Sequence, residues 1–339
     1  DSIGDVPGVT VGHFTLAQGA RQTGVTVVRP HEGDPFRNKV PAAATVLNGF
    51  GKSCGLIQVE ELGVLETPIA LTNTFAVGAV ANAQIRQAIA ANPEIGRAWP
   101  TVNPLVFECN DGYLNDIQAQ AVAEAHYEQA WRGAASVFEQ GSVGAGRGMS
   151  SFGFKGGIGS ASRLAEAYPG QRYTVGALVL SNFGQRSSMT IAGRPFGRRL
   201  AAAARDGEPA GQPEKGSIIL LLATDAPLDS RQLRRLSLRA GAGLARTGSV
   251  FGHGSGDIAL AFSTAYTIPH LAERGMPVQV MLHETRIDAL FEAAAEAVEQ
   301  AIVAALWRAE TVAGRDGHVR RAIREAAPQW RQWLAETAF

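Results

Sequence analysis

Two serines stand where their neighbours could make them nucleophiles. Ser53 lies in Gly51-Lys52-Ser53-Cys54-Gly55, which fits the G-x-S-x-G pattern of a nucleophile elbow and follows a strand-like run at 43–47. Asp225 or Asp257, then His283, follow in the order Ser…Asp…His, so a serine hydrolase built on Ser53 is one reading. Ser249 lies in Ala245-Arg-Thr-Gly248-Ser249-Val-Phe, where a helical pattern gives way to a glycine-rich turn. A Gly-Ser peptide at such a joint can cleave itself. The serine hydroxyl attacks the glycine carbonyl, the acyl group moves from nitrogen to oxygen, and water hydrolyses the ester. Gly248 suits this step, having no Cβ to obstruct attack and tolerating strained backbone angles. The product would carry Ser249 as a new N-terminus, with an α-amine of pKa roughly 7.7–8.0 able to act as base to its own hydroxyl.

Other chemistries find less support. Gly144-Ala-Gly146-Arg-Gly148 and Gly252-His-Gly254-Ser-Gly256 lack the third glycine of a dinucleotide loop, and Gly51-Lys52-Ser53 lacks the leading P-loop glycine, the position being Val46. The seven histidines form no HExxH or other pair at ligand spacing, so no metal is expected. Cys54 and Cys109 form no CxxC and read as two buried free thiols. With 31 basic and 31 acidic residues the chain is neutral, which argues against nucleic-acid and membrane-surface partners. No run is long enough to span a membrane. The chain opens without a charged-then-apolar leader, so the expected location is cytoplasmic, or periplasmic if a leader has been trimmed.

These residues need a scaffold, and the patterning is mixed α/β. Strand-like runs occur at 24–28, 43–47, 68–71, 105–108, 174–181, 217–223 and 257–262. Helical periodicity covers 77–91, 116–138, 230–245 and 288–310, with Asn115, Asp116 and Asp229 as caps. The hydrophilic stretch 205–216 reads as a surface loop, and 316–338 as an amphipathic segment carrying Trp330 and Trp333. Strands lie on both sides of 205–216, so the whole chain, 1–339, reads as one domain with sheets between helix layers.

Seven blocks of the chain carry a resemblance: IGDVPGVTVGH, NGFGKSCGLIQVEELGVLETPIALTNT, ECNDGYLND, GSVGAGRGMSSFGFKGGIGSASR, LVLSNFGQRSSMTIAGRPFGR, LLATDAPLDSRQLRRL and ARTGSVFGHGSGDIALAFSTA. They resemble, in order, the P1 (S58) family of self-processing aminopeptidases, which includes the L-aminopeptidase/D-Ala-esterase/amidase and the β-peptidyl aminopeptidases. The resemblance implies a four-layer αββα sandwich like that of N-terminal-nucleophile hydrolases but connected differently. It implies autocleavage between Gly248 and Ser249 into an α piece, 1–248, and a β piece, 249–339. It also implies a homo-oligomer, a tetramer of αβ units, and no metal or organic cofactor. The implied activity removes the N-terminal residue from short peptides, amides or esters that have a free amine. Gly51–Gly55 falls inside a block that does not carry the nucleophile. Ornithine acetyltransferases share self-cleavage and a similar fold but use threonine, so acyl transfer is the alternative that Ser249 weighs against.

Residue by residue, the resemblance makes Ser249 the nucleophile and Asn182 an oxyanion donor. It makes Glu108 the carboxylate that pairs with the substrate ammonium. Asn110 stands where the D-Ala-releasing relative has a tyrosine near substrate. The β-piece serine and glutamate that orient the amine in β-peptidases have no match in 283–288. Cut at Ser249, the neutral chain would divide into pieces of net charge +3 (23 basic, 20 acidic) and −3 (8 basic, 11 acidic).

Overall fold

Strands buried on both faces should alternate between two apolar environments, and those of this chain do. The computed structural model describes residues 1–203 and 215–335. Its long strands are β1 (Thr10–Gln18), β2 (Arg21–Arg29), β3 (Asn38–Gly49), β4 (Ile69–Asn73), β5 (Leu105–Cys109), β6 (Gly157–Tyr168), β7 (Gln171–Asn182), β8 (Lys215–Thr224) and β9 (Gly254–Ser263). The covering helices are α1 (Val77–Ala91), α2 (Glu124–Arg132), α3 (Ser230–Arg246) and α4 (Asp288–Trp307). One sheet has the order β1-β2-β4-β5 and the other β3-β9-β8-β7-β6, extended beyond β3 by the short strand Ile268–Pro269. β4–β5 and β8–β9 are the parallel pairs among these; the other long-strand pairings are antiparallel.

Alternate residues of β8 sort the layers. Ile218, Leu220 and Leu222 face α3 and α4, packing with Leu233, Leu236, Leu290 and Val298. Ile219, Leu221 and Ala223 point to the other sheet and meet Ile69, Leu71, Leu105 and Phe107. On the outer face of that sheet, Ala70 and Val106 pack with Val80 and Ala83 of α1 and with Tyr127 and Ala130 of α2. The result is the four-layer αββα arrangement. Each fully buried Leu or Ile contributes about 1.5–3 kcal/mol relative to exposure, so the doubly covered strands hold the frame. No helix among the described residues is long and apolar enough to cross a membrane.

Several sequence expectations change. The helix expected over 116–138 is a short 3-10 turn, Ile117–Ala119, followed by α2. Gln120 takes φ 44°, which ends the first turn, and Gly133 terminates the second. Asn115 is no helix cap; its Oδ1 accepts the N–H of Gln22 at 3.1 Å. The segment from 316 contains short helices, Ile323–Ala326 and Trp330–Ala335, with Trp330 and Trp333 against the core. Cys109 is buried and Cys54 half-buried; both are free thiols. Most of the stretch 205–216, and the last four residues, lie outside the described residues.

Candidate active site

Strand register gathers the candidate residues at one end of the two sheets. Asn182 ends β7 and pairs with Ser217 of β8; Ser217 pairs with Gly256 of β9, and Gly256 with Gly49 of β3. Glu108 and Cys109 end β5 in the facing sheet, and the Cys109 thiol reaches the Leu180 carbonyl of β7 at 3.7 Å. Five strand ends and the chain segments leaving them therefore form one site floor.

Glu108 is 3 % exposed. Its Oε1 accepts the Lys52 N–H at 2.8 Å, and its Oε2 accepts the Thr74 hydroxyl. Gly51 lies between Glu108 and β9: a Cβ there would stand 3.5 Å from Glu108 Oε1 and 3.7 Å from Gly256 Cα. Phe50 and Phe75 are each 55 % exposed beside the two donors, and the Lys52 ammonium sits 4.4 Å above the Phe50 ring. A buried carboxylate held by two donors is suited to receive a cation.

Asn182 has only one amide orientation compatible with its neighbours. Its Oδ1 accepts the Ser150 N–H at 2.8 Å, and its Nδ2 donates to the Asn110 carbonyl at 3.0 Å. A backbone N–H cannot accept and a carbonyl cannot donate, so the flipped amide would lose both bonds. Asn110 is exposed, and its side chain folds back to accept the Gly112 N–H at 2.9 Å. The structure thus joins Asn182 to Asn110 through the latter's backbone.

Ser249 follows the end of α3 and is 6 % exposed. Thr247 O accepts the Thr190 N–H at 3.0 Å, and Gly248 N–H donates to Ala245 O at 3.0 Å, so the chain is anchored immediately before the Gly248–Ser249 peptide. Gly248 has φ +102°, and a Cβ there would stand 1.9 Å from the Ser188 carbonyl oxygen. Only glycine fits. Beyond it, Ser249 Oγ accepts the Phe251 N–H at 3.2 Å, while Asn48 Nδ2 donates to the Gly252 and His253 carbonyls at 3.1 and 3.2 Å. The turn leads into β9 at the same end of the sheet.

The Ser53 reading fails on geometry. Asp225 adjoins Thr224, at the opposite end of β8, roughly 30 Å away at about 3.3 Å per residue. His283 Nδ1 lies 2.9 Å from Thr285 Oγ1, and neighbouring Leu282 donates to Pro227 O at that far end. Asp257 accepts the Ser255 hydroxyl at 2.5 Å, and the enclosed Ser53 hydroxyl has no hydrogen-bond partner among the described residues. The Glu284 carboxylate pairs with Arg231 and Arg235 of α3.

Reading residues by chemical type missed Asp111, Ser150 and Lys155. Asp111 is buried; its Oδ1 accepts from Asn115 at 3.0 Å and its Oδ2 has no hydrogen-bond partner among the described residues. Burial pushes its pKa up to about 7, against the opposing pull of Thr23, Asn115 and Lys155. Between about pH 4 and 7 the native state therefore binds a proton that the unfolded chain has released, and stability contributed by this group falls as pH rises through that window. Asp111→Asn removes this titration. Urea denaturation at pH 5 and 8 is expected to show the two proteins' stability difference shifting by about 1–3 kcal/mol in favour of Asn at pH 8. A pH-independent difference would contradict the assignment.

The layers and the site define a variant of the N-terminal-nucleophile hydrolase fold, the description given for the L-aminopeptidase D-Ala-esterase/amidase of Ochrobactrum anthropi. That structure has a TM-score of 0.87 and 36% identity, covering 97% of this chain and 94% of its own. The model of peptidase family S58 matches residues 1–320, and the chain belongs to that family. It is an aminopeptidase of the N-terminal-nucleophile serine type. The β-peptidyl aminopeptidase BapA of Sphingosinicella microcystinivorans is 40% identical over 94% of this chain and 84% of its own. A Burkholderia sp. β-aminopeptidase has a TM-score of 0.89 at 40% identity, covering 100% of this chain and 94% of its own. The PH0078 protein of Pyrococcus horikoshii OT3 has a TM-score of 0.92 at 48% identity, covering 99% of this chain and 95% of its own.

Proposed function

We propose that the chain cleaves itself between Gly248 and Ser249 and that the freed Ser249 then removes N-terminal residues from short peptides, amides or esters. Glu108 receives the substrate ammonium, and the Asn110 turn borders the bound residue. Ser249 Oγ attacks the carbonyl of that residue while the Ser249 α-amine takes the hydroxyl proton. The second hydrogen of Asn182 Nδ2 binds the oxyanion, a donor worth about 3 kcal/mol of barrier. The ammonium of Ser249 protonates the leaving group, and water, deprotonated by the same amine, hydrolyses the acyl-enzyme. The pieces 1–248 and 249–339 stay together through the shared large sheet, to which β9 belongs, and the working form is a tetramer of such units in the cytoplasm or periplasm. β-Amino acids and D-alanine join L-residues as substrate classes, by analogy with the relatives named above.

The observation that carries the reading is Gly248. With φ +102° and no room for a Cβ beside the Ser188 carbonyl, position 248 admits only glycine, so the residue before Ser249 carries no side chain to shield its carbonyl, in a peptide anchored before it and turned after it. Denaturing mass spectrometry of the purified protein tests the cut, and alanine, D-alanine, β-alanine and lactate p-nitroanilides test the activity. An intact wild-type chain that turns over none of them would refute the reading.

A further inference from the structure

Lys155 is a lysine with no exposed surface, and its surroundings point to one task. Its Nζ donates to the Gly146 and Gly156 carbonyls, each at 2.7 Å. Both carbonyls belong to the segment 146–156, which folds back on itself as a minimal ladder pairing Ser150 with Lys155 and Ser151 with Phe154. The ammonium thus closes the segment from within, joining its first residue to its last. Gly156 N–H also donates to Met149 O at 2.9 Å, and a Cβ at Gly156 would stand 3.1 Å from Ser150 C and N of Ser151, so there is no slack beneath Ser150.

Ser150 is the residue whose N–H fixes the Asn182 amide. Ser151 fastens the same ladder to β7, its Oγ lying 2.7 Å from Ser181 Oγ and donating to Phe183 O at 3.1 Å. On the other side, Lys155 N–H donates to Arg321 O at 2.9 Å. A buried ammonium is costly, and two charge-assisted bonds to carbonyls satisfy it only while the segment keeps this shape. We infer that Lys155 is a positioning residue: its ammonium closes the segment 146–156, and so aims the Asn182 amide through the Ser150 N–H. The inference rests on the aminopeptidase reading for its kinetic consequence, since that reading gives the Asn182 amide its work.

Lys155→Met keeps the apolar stem and removes the charge. The expected result on alanine p-nitroanilide is a loss of at least tenfold in kcat with KM within threefold, because the donor acts on the oxyanion and not on the bound ground state. Lys155→Ala should lose as much and recover at least threefold in saturating n-propylammonium, which replaces the missing Cγ-to-Nζ fragment, but not in n-butanol. Ser150→Pro removes the N–H, together with the hydroxyl that accepts from Arg320 at 3.2 Å, and leaves the Lys155 side chain in place; its loss should match, and Lys155→Met/Ser150→Pro should lose little more than either alone. Hydrogen exchange of the Ser150 amide reads the link without any turnover: Lys155→Met should accelerate it at least tenfold. Slow exchange in that variant, or additive kinetic losses, would overturn the inference. If the Lys155 variants do not fold, a Ser150→Pro enzyme with kcat within twofold of wild type would overturn it too. A wild type that exchanges Ser150 slowly yet hydrolyses nothing would refute the aminopeptidase reading alone.

Discussion

A Ser249→Ala chain is expected to stay whole, 339 residues in one piece, and to hydrolyse alanine p-nitroanilide at background, about 10⁵–10⁶-fold below wild type. The change removes two functions at once. Without the hydroxyl there is no acyl shift, so the Gly248–Ser249 peptide survives; without cleavage there is no free α-amine to serve as base. Nucleophile and base belong to one residue, so their losses do not multiply, and the total should resemble the removal of a whole catalytic triad. Ser249→Cys separates the functions. A thiol supports the shift from nitrogen to sulfur and should release the two pieces, while hydrolysis by the resulting enzyme stays impaired. The Cβ of alanine already exists in serine, and cysteine is close to serine in size, so the fold should tolerate both changes. Circular dichroism and intact mass together read the result. A Ser249→Ala protein that arrives cut, or that turns over within 100-fold of wild type, would remove Ser249 from the mechanism.

What the sequence made legible follows from where chemistry coincides with local pattern. The runs inside β7, β8 and β9 are rich in Val, Ile and Leu because both faces are buried, and they were readable as strands. β6 was not: Gly-Ile-Gly-Ser-Ala-Ser-Arg-Leu-Ala has the small residues that let α4 lie directly on the strand, where a Cβ at Gly159 would stand 1.9 Å from Ala301 O. β1 escaped notice because only two of its nine residues are buried and it lacks a sustained apolar run. In the site, Ser249 was visible through the Gly-Ser peptide, whereas Glu108 and Asn182 are ordinary residue types whose importance came from resemblance. Lys155 and Ser150 were invisible because their significance is a register, Ser150 opposite Lys155, that no local spacing encodes. The Ser53 elbow shows the converse. Its five-residue pattern is followed by a short helix, Leu56–Leu62, as the motif requires, yet Asp225 and His283 lie at the wrong end of the sheet and Asp257 is engaged by the Ser255 hydroxyl.

Glu108→Gln is expected to lower kcat/KM for alanine p-nitroanilide by about 10²–10³-fold, most of it through KM. The carboxylate is buried and held by the Lys52 N–H and the Thr74 hydroxyl. Glutamine can keep that frame: its oxygen accepts from Lys52, and its amide donates to a Thr74 hydroxyl that rotates to accept. What disappears is the negative charge that a substrate ammonium would meet in a largely dehydrated position. Removing one partner of such a pair costs about 2–5 kcal/mol, chiefly because the other charge is left buried and unpaired. The charge is present in ground state and transition state alike, so the loss belongs mainly to binding. Lactate p-nitroanilide, with a hydroxyl in place of the amine, isolates the effect. Wild type should prefer the alanine compound by the full factor, whereas Glu108→Gln should treat the two within about fivefold of each other. A variant that keeps the wild-type preference for the amine would mean that the ammonium is recognised elsewhere, and Phe50 and Phe75, exposed rings close in sequence to the residues that hold Glu108, would be the next groups to replace.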